Sequence, residues 1–128
     1  MNTKYKLVKL MTDVGCYPLW VVNSDSKDDV SQTVHPDEVL KDADLINDIL
    51  AWDQLYQDMM EPIMKATMTP DEHDKWCKEH FDDSHDEQGL KLAQRIANEL
   101  NMLVECFTTD GYIRFHLVCN NQQDSHYR

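Results

Sequence analysis

Three residues of types that bind metal ions recur at helical spacing, namely His73, Cys77 and His80. Positions i, i+4 and i+7 share one face of a helix, and His85 could add a fourth ligand for tetrahedral zinc. The same face also carries Trp76, however, and no loop or paired motif clamps these side chains together. We therefore expect this face to pack against the core and to bind no metal, with a zinc site as the alternative.

Residues that could perform catalysis occur in the chain without the partners that a mechanism needs. The four cysteines lie at positions 16, 77, 106 and 119, none of them in a recognisable nucleophile motif. The adjacent carboxylates Asp82–Asp83 and Asp86–Glu87 do not face each other if they lie on a helix. The sequence has three glycines and neither a phosphate-binding loop nor a GxSxG or HExxH motif. We expect no catalytic residue, no cofactor and no enzyme activity.

Length and composition limit the class of protein. With 128 residues, 41% of them hydrophobic, the chain is expected to form one globular domain over 1–119 and a disordered tail over 120–128. Its apolar runs are far shorter than a membrane span, so no membrane association is expected. The first residues also lack the apolar stretch of a signal peptide. A cytoplasmic protein with reduced thiols is the expectation.

Charge is the most informative feature of the composition. The formal net charge is −12, and the segments 25–48 and 71–87, the first and second acidic blocks, each carry eight acidic residues against two lysines. Together they account for the whole net charge, a clustering that solubility alone does not require. A chain of this charge repels phosphate backbones, so we expect a basic protein partner and no direct binding of nucleic acid. The residues predicted to contact that partner are Asp82, Asp83, Asp86, Glu87, Asp25, Asp28, Asp29 and Trp76.

The β-prone segments lie at the two ends of the chain. Strands are predicted over 4–11 and 17–22, which form an N-terminal hairpin. Two more are predicted over 102–107 and 112–118, joined by an Asp-Gly turn that is typical of a β-hairpin. The polar segment 23–36 is predicted to be an irregular loop.

Helices are predicted between the two hairpins. The first follows an apolar stripe over 45–59, is capped near Asp42 and ends at Pro62. The second begins with a capping box, in which Thr69 is the N-cap residue and Glu72 is the third helical residue.

A third helix is predicted to open with a further capping box, formed by Ser84 and Glu87, and to end at Asn101. Gly89 in its first turns is expected to mark the close approach of another helix. The resulting order β-β-α-α-α-β-β favours a single-domain α+β fold. In this fold one antiparallel sheet, built from the N-terminal and C-terminal hairpins, carries about three helices on one face.

Three stretches together resemble a known family. They read GCYPLW over 15–20, LINDILAWDQLY over 45–56 and EQGLKLAQRIANEL over 87–100. A short acidic chain with these stretches is similar to immunity proteins of bacterial polymorphic toxin systems, including those of contact-dependent growth inhibition. The resemblance implies a non-enzymatic inhibitor that binds the C-terminal domain of a cognate toxin and blocks its active site. Toxin-contacting positions do not carry over to particular residues, because such surfaces diverge with each partner.

Charge and resemblance lead to the same hypothesis. The resemblance implies that many of these toxins are nucleases with basic substrate grooves, for which closely spaced carboxylates would compete with nucleic acid. We therefore predict an acidic immunity protein that neutralises a basic nuclease domain by covering its active site. The alternative is a soluble acidic regulatory adaptor or protein-interaction domain unrelated to toxins.

Overall fold

The computed structural model describes residues 4–65, 67–80, 83–107 and 115–118, with strands at both ends of the chain and helices between them. The strands are β1 (Tyr5–Leu10), β2 (Leu19–Asn23), β3 (Gln32–Val34), β4 (Val104–Phe107) and β5 (Phe115–Val118). The helices are a short 3-10 helix (Pro36–Glu38), α1 (Ala43–Met64), α2 (Pro70–His80) and α3 (Asp83–Leu100). The predicted α+β class is confirmed. The predicted Asp-Gly turn and C-terminal tail lie outside the described residues.

The described strands form one mixed sheet in the order β3-β2-β1-β4-β5. Neighbouring strands are antiparallel except β1 and β4, which are parallel, with Lys9 opposite Glu105 and Leu10 opposite Cys106. The prediction of a purely antiparallel sheet is therefore wrong where the two hairpins meet. The intervening helices form a crossover that returns the chain to the end of the sheet where β1 begins, so β4 runs in the same direction as β1.

The segment 23–36, predicted to be an irregular loop, contains β3. This strand pairs with β2, with Thr33 opposite Trp20 and Val34 opposite Leu19. Three residues are too few to produce a recognisable alternation in the sequence, so the prediction of a loop is wrong here. Val34 also packs against the hydrophobic core, which attaches β3 to the edge of the sheet.

Two predicted helix caps are confirmed. Asp42 Oδ1 accepts hydrogen bonds from the backbone N–H groups of Asp44 (3.0 Å) and Leu45 (3.3 Å) at the start of α1. At the start of α2, Thr69 Oγ1 accepts from the Glu72 N–H at 3.2 Å. Glu72 Oε1 in turn accepts from the Thr69 N–H at 2.9 Å, which completes the capping box.

Two predicted helix boundaries are wrong. α3 already includes Asp83, so Ser84 lies inside the helix and is not its N-cap. α1 continues past Pro62 to Met64. Proline removes one backbone donor but keeps its acceptor, and the Pro62 carbonyl accepts a hydrogen bond from the Thr67 N–H at 2.8 Å. The chain therefore leaves the helix only after this last turn.

Asn101, just after α3, and Gly89, within it, have the roles that the sequence predicts. Asn101 adopts φ +56° just after the helix, and the N–H groups of Asn101 and Met102 both donate to the Ala97 carbonyl, at 2.7 and 3.3 Å. Gly89 lies so close to α1 that a Cβ atom built on it would be 2.7 Å from Trp52 Cζ2. The glycine thus permits the contact between α1 and α3.

The hydrophobic core lies between one face of the sheet and the inner faces of α1 and α3. Its residues include Val8, Leu10, Leu19, Val21, Val104 and Cys106 from the sheet and Leu45, Ile49, Trp52, Leu92, Ile96 and Leu100 from the helices. Across the described ranges, every helix is too short or too polar to cross a membrane. The opposite faces of the helices carry most of the charged side chains.

Candidate partner-binding surface

The second acidic block begins in α2, whose acidic side chains are exposed. Asp74 forms an ion pair with Lys78, with 3.2 Å between Oδ2 and Nζ. Asp71 and Glu79 are exposed and form no ion pair within the described part of the chain. The Asp74–Lys78 pair spans one helical turn, and both of its side chains remain largely solvated. Together with the exposed Asp71 and Glu79, it leaves α2 with a negative surface toward solvent.

The junction of α2 and α3 holds the four acidic residues predicted as the main partner contacts. Glu87 is exposed and Asp86 is half-buried. Asp82 and the side chain of Asp83 lie outside the described residues. The described part of this group therefore consists of two neighbouring carboxylates in the first turns of α3, where the helix dipole favours negative charge.

The charge of Asp86 acts on two buried groups. Burial raises the pKa of the Cys106 thiol to about 12, and the Asp86 carboxylate contributes to the increase. Burial lowers the pKa of His85. The hydrogen bond to the Trp52 carbonyl and the charge of Asp86 raise this pKa and offset part of the decrease. Cys106 is thus a protonated core thiol at neutral pH, which excludes it as a nucleophile in this environment. Asp86 is half-buried and acts on buried groups, so the exposed Glu87 is better placed to contact a partner.

His85 attaches the start of α3 to α1 through a reciprocal contact with Trp52. The two rings stack with centroids 4.7 Å apart and planes 11° apart. Trp52 Nε1 donates to the His85 carbonyl at 2.8 Å, and His85 Nε2 lies 3.1 Å from the Trp52 carbonyl oxygen. The sequence indicates His85 only as an alternative metal ligand, although its place four residues before Gly89 puts it on the same inward face of α3. The acidic turn at Asp86 and Glu87 thus has a rigid support.

In the loop after β2, two of the three predicted contact residues take part in the structure of the loop itself. Asp28 Oδ1 accepts a hydrogen bond from Ser26 Oγ at 3.2 Å. Asp29 Oδ1 lies 3.1 Å from Lys6 Nζ on β1. Asp25 is exposed and forms no ion pair within the described residues. Of these three, Asp25 has the most accessible negative charge.

Other carboxylates of the first acidic block also serve local structure. Glu38 Oε2 accepts from the His35 N–H at 3.1 Å and completes the cap of the 3-10 helix. Asp42 caps α1, and Asp48 Oδ2 accepts from Arg95 Nη1 on α3 at 2.7 Å. The first acidic block therefore presents fewer unpaired carboxylates than its net charge indicates.

Glu99 on α3 has a positioning role that the sequence does not reveal. Its two carboxylate oxygens accept hydrogen bonds from the backbone N–H groups of Lys41 (2.7 Å) and Asp42 (3.1 Å), just before α1. These residues lie 58 and 57 positions away along the chain, so no local pattern relates them. The carboxylate joins the end of α3 to the entry of α1.

Trp76 is half-buried on α2, next to the buried ring of His73. The two rings stack with centroids 6.5 Å apart, and His73 Nε2 lies 3.0 Å from the Met59 carbonyl oxygen of α1. His73 therefore packs against α1, as the sequence predicts. The side chains of Cys77 and His80 lie outside the described residues. Within the described ones, no group of three His, Cys, Asp or Glu side chains could hold a metal ion.

The described surface is suited to electrostatic recognition. It combines exposed carboxylates on α2 and at the start of α3 with the half-buried Trp76 and a helix pair held by buried contacts. Charges on a rigid support attract an oppositely charged protein and orient it during encounter.

One comparison with known proteins finds a family. A family model described as Serratia CdiI immunity protein-like matches residues 6–110. The matched range runs from β1 through β4 and includes both acidic blocks. A search of the curated proteins finds no match.

Proposed function

We propose that this chain, which belongs to the Serratia CdiI immunity protein-like family, binds and neutralises a cognate toxin domain in the cytoplasm of the cell that makes it. The observation that carries the proposal is the family match over residues 6–110 of 128. Immunity proteins of this kind act by binding a toxin protein and are generally not enzymes. The proposal therefore assigns binding roles, and no catalytic role, to the residues of the chain.

The charge distribution supports a basic partner. The chain has a formal net charge of −12, and Asp25, Asp71, Glu79 and Glu87 present exposed carboxylates that form no ion pair within the described residues. A nuclease domain has a basic groove for its phosphate substrate, and a carboxylate surface complements that groove. We infer that the toxin domain is a basic nuclease and that this chain inhibits it by covering the active site.

The second acidic block is the favoured contact surface. Glu87 is exposed in the first turns of α3, next to Asp86, and the sequence places Asp82 and Asp83 just before them. The half-buried ring of Trp76 supplies an aromatic contact on the preceding helix, a residue type that often dominates the energetics of interfaces. The loop residues Asp25, Asp28 and Asp29 form a secondary contact surface.

The test removes charge and keeps shape, through the combined substitution Asp82→Asn, Asp83→Asn, Asp86→Asn and Glu87→Gln. We expect association with the toxin domain encoded beside this chain to slow by about tenfold or more at low salt, with less effect at high salt. Cells that express the toxin domain should be less well protected by the variant. Stopped-flow association rates across a salt series and a growth assay measure the two effects.

The matched control carries Asp25→Asn, Asp28→Asn and Asp29→Asn in the loop after β2. It should slow association less, because Asp28 and Asp29 already have local partners. Both variants should melt close to the parent protein, which circular dichroism checks. If neither variant changes the association rate at any salt concentration, the acidic blocks are solvated surface and the proposed contact is wrong.

A further inference from the structure

A groove of about 450 Å³ runs along the outer side of the contact between α1 and α3. Its walls are formed by residues 48, 51, 52 and 55 of α1 and residues 88, 91, 92 and 95 of α3. Both sets follow the spacing i, i+3, i+4 and i+7, which marks one continuous ridge on a helix. Two parallel ridges with a groove between them form the surface onto which a third helix packs.

The floor of the groove is apolar. Leu92 and Trp52 are buried beneath it, with exposed fractions of 6% and 3%, whereas Ala51 and Leu55 line its open side. Leu55 is 53% exposed. Leu55 and Ala51 thus form an apolar strip at the edge of the core that is accessible to a partner.

The charge of the groove is opposite to that of the rest of the molecule. Lys91, Arg95 and Asp48 are its charged lining residues, so the groove has one net positive charge in a chain of net charge −12. Asp48 is paired with Arg95 at 2.7 Å, whereas Lys91 is exposed and forms no ion pair within the described residues. A carboxylate held over Lys91 would therefore find an available cation.

We propose that this groove docks an acidic amphipathic helix of a partner protein. Apolar residues on one face of that helix would cover Leu55 and Ala51, and a flanking carboxylate would pair with Lys91. The volume of the groove lies within the range of about 300–1,000 Å³ that is typical of ligand sites, and its ridges have helical spacing. The proposal goes beyond the proposed function, because the favoured toxin contacts are acidic residues outside the groove, whereas the unpaired charge in the groove is the positive one of Lys91.

The probe is a labelled synthetic helix of about 18 residues with leucines along one face and glutamates on both sides of them. A twin peptide carries glutamine at every glutamate position. We expect the glutamate peptide to bind the full chain about two- to fivefold more tightly than the twin at physiological salt, measured by fluorescence anisotropy. The net charge of the protein predicts the reverse order, so this result is specific to a local positive site.

Two variants and two matched controls locate the binding. Leu55→Gln and Lys91→Glu should each weaken the glutamate peptide by about five- to tenfold. Leu103→Gln changes a leucine of similar exposure (51%) outside the groove, and Lys75→Glu makes the same change of charge on α2. Both controls should bind as the parent does. All four positions are exposed, so the variants are expected to fold.

Other occupants of the groove give different results. Equal or tighter binding of the glutamine twin, or binding that survives both Leu55→Gln and Lys91→Glu, would overturn the proposal. A dimer in sedimentation that Leu55→Gln dissociates would show that a second copy covers the groove and that the proposed helix does not. Binding of decanoate without binding of the peptide would show that the groove takes a small apolar acid and not a helix, and would overturn the proposal.

Discussion

Asp53 is a carboxyl group that α1 holds almost out of contact with solvent, with 9% of its surface exposed. Burial raises its pKa, and the hydrogen bond that its Oδ1 accepts from Gln57 Nε2 at 3.2 Å lowers it in part. The same Gln57 amide connects α1 to the first hairpin, since its Nε2 donates to the Asp13 carbonyl and its Oε1 accepts from the Gly15 N–H. A structural amide is thus placed beside a carboxylate that is costly to bury when it is charged.

Asp53→Asn should therefore stabilise the protein at neutral pH. The folded state binds its proton more tightly than the unfolded state, so the stability of the parent falls as pH rises from the ordinary Asp value of 3.8 through the raised pKa. Asparagine keeps an oxygen that can accept from Gln57 and carries no charge. The gain over the parent should be small near pH 4 and should grow toward about pH 7, as measured by urea unfolding across that range.

Asp58→Asn is the control for this substitution. Asp58 lies on the same helix and accepts from Gln54 Nε2 at 2.8 Å, at the same four-residue spacing but with the amide preceding the acid, and its side chain is exposed. Its substitution should change the free energy of unfolding by no more than about 0.5 kcal/mol at any pH in the series. A gain for Asp53→Asn that does not depend on pH would show that the stabilisation has another cause than the buried charge.

Between elements, α3 approaches α1 closely at Gly89. In an exposed helix, glycine to alanine gains up to about 1 kcal/mol. At this position the new Cβ would lie 2.7 Å from a Trp52 ring that is held by a hydrogen bond to the His85 carbonyl and by stacking on the His85 ring. We expect Gly89→Ala to lose about 1–3 kcal/mol of stability by chemical unfolding, because the ring has little freedom to move.

A double-mutant cycle with Trp52→Phe isolates this contact. Phenylalanine lacks the atoms of the larger indole ring that crowd Gly89, so Gly89→Ala should cost less in the Trp52→Phe background than in the parent. If Gly89→Ala instead stabilises the parent, helix propensity outweighs the contact and the two helices are not held at this distance.

The elements that the sequence predicts correctly are those with local causes. The capping box of Thr69 and Glu72 is complete within four residues, and Asp42 caps the helix that follows it directly. What could not be predicted depends on distant residues. β3 exists because it pairs with β2, and Glu99 acts on backbone groups more than fifty positions away. The parallel pairing of β1 with β4 likewise depends on the path of the chain through the helices.

The candidate site shows the same division. Charge counts along the sequence locate both acidic blocks, but they cannot show which carboxylates are already in use. The structure assigns Asp28 and Asp29 to loop contacts, places Asp86 near the buried Cys106, and leaves Asp25 and Glu87 exposed. How much of the formal charge a partner meets depends on which carboxylates are paired in the folded structure. Their positions in the sequence do not reveal this pairing.

For the molecule as a whole, two surfaces of opposite charge should act independently. The acidic blocks give the chain its net charge of −12, and the groove between α1 and α3 is locally positive. Neutralising Asp82, Asp83, Asp86 and Glu87 removes four negative charges, which reduces the long-range repulsion of an acidic peptide. That variant should therefore bind the glutamate peptide as tightly as the parent or slightly more tightly, while it associates slowly with the toxin domain.

Leu55→Gln should show the converse behaviour, with weaker peptide binding and unchanged protection of cells that express the toxin domain. Leu55 lies on the outer ridge of α1, and its substitution alters no charge, so the electrostatic attraction of a basic toxin is unaffected. Peptide anisotropy and association rates at low and high salt, measured on the parent and both variants, separate the two surfaces. If Leu55→Gln abolishes protection, the toxin itself occupies the groove, and the chain has one continuous interface from the acidic turn at Glu87 along the ridges of α1 and α3.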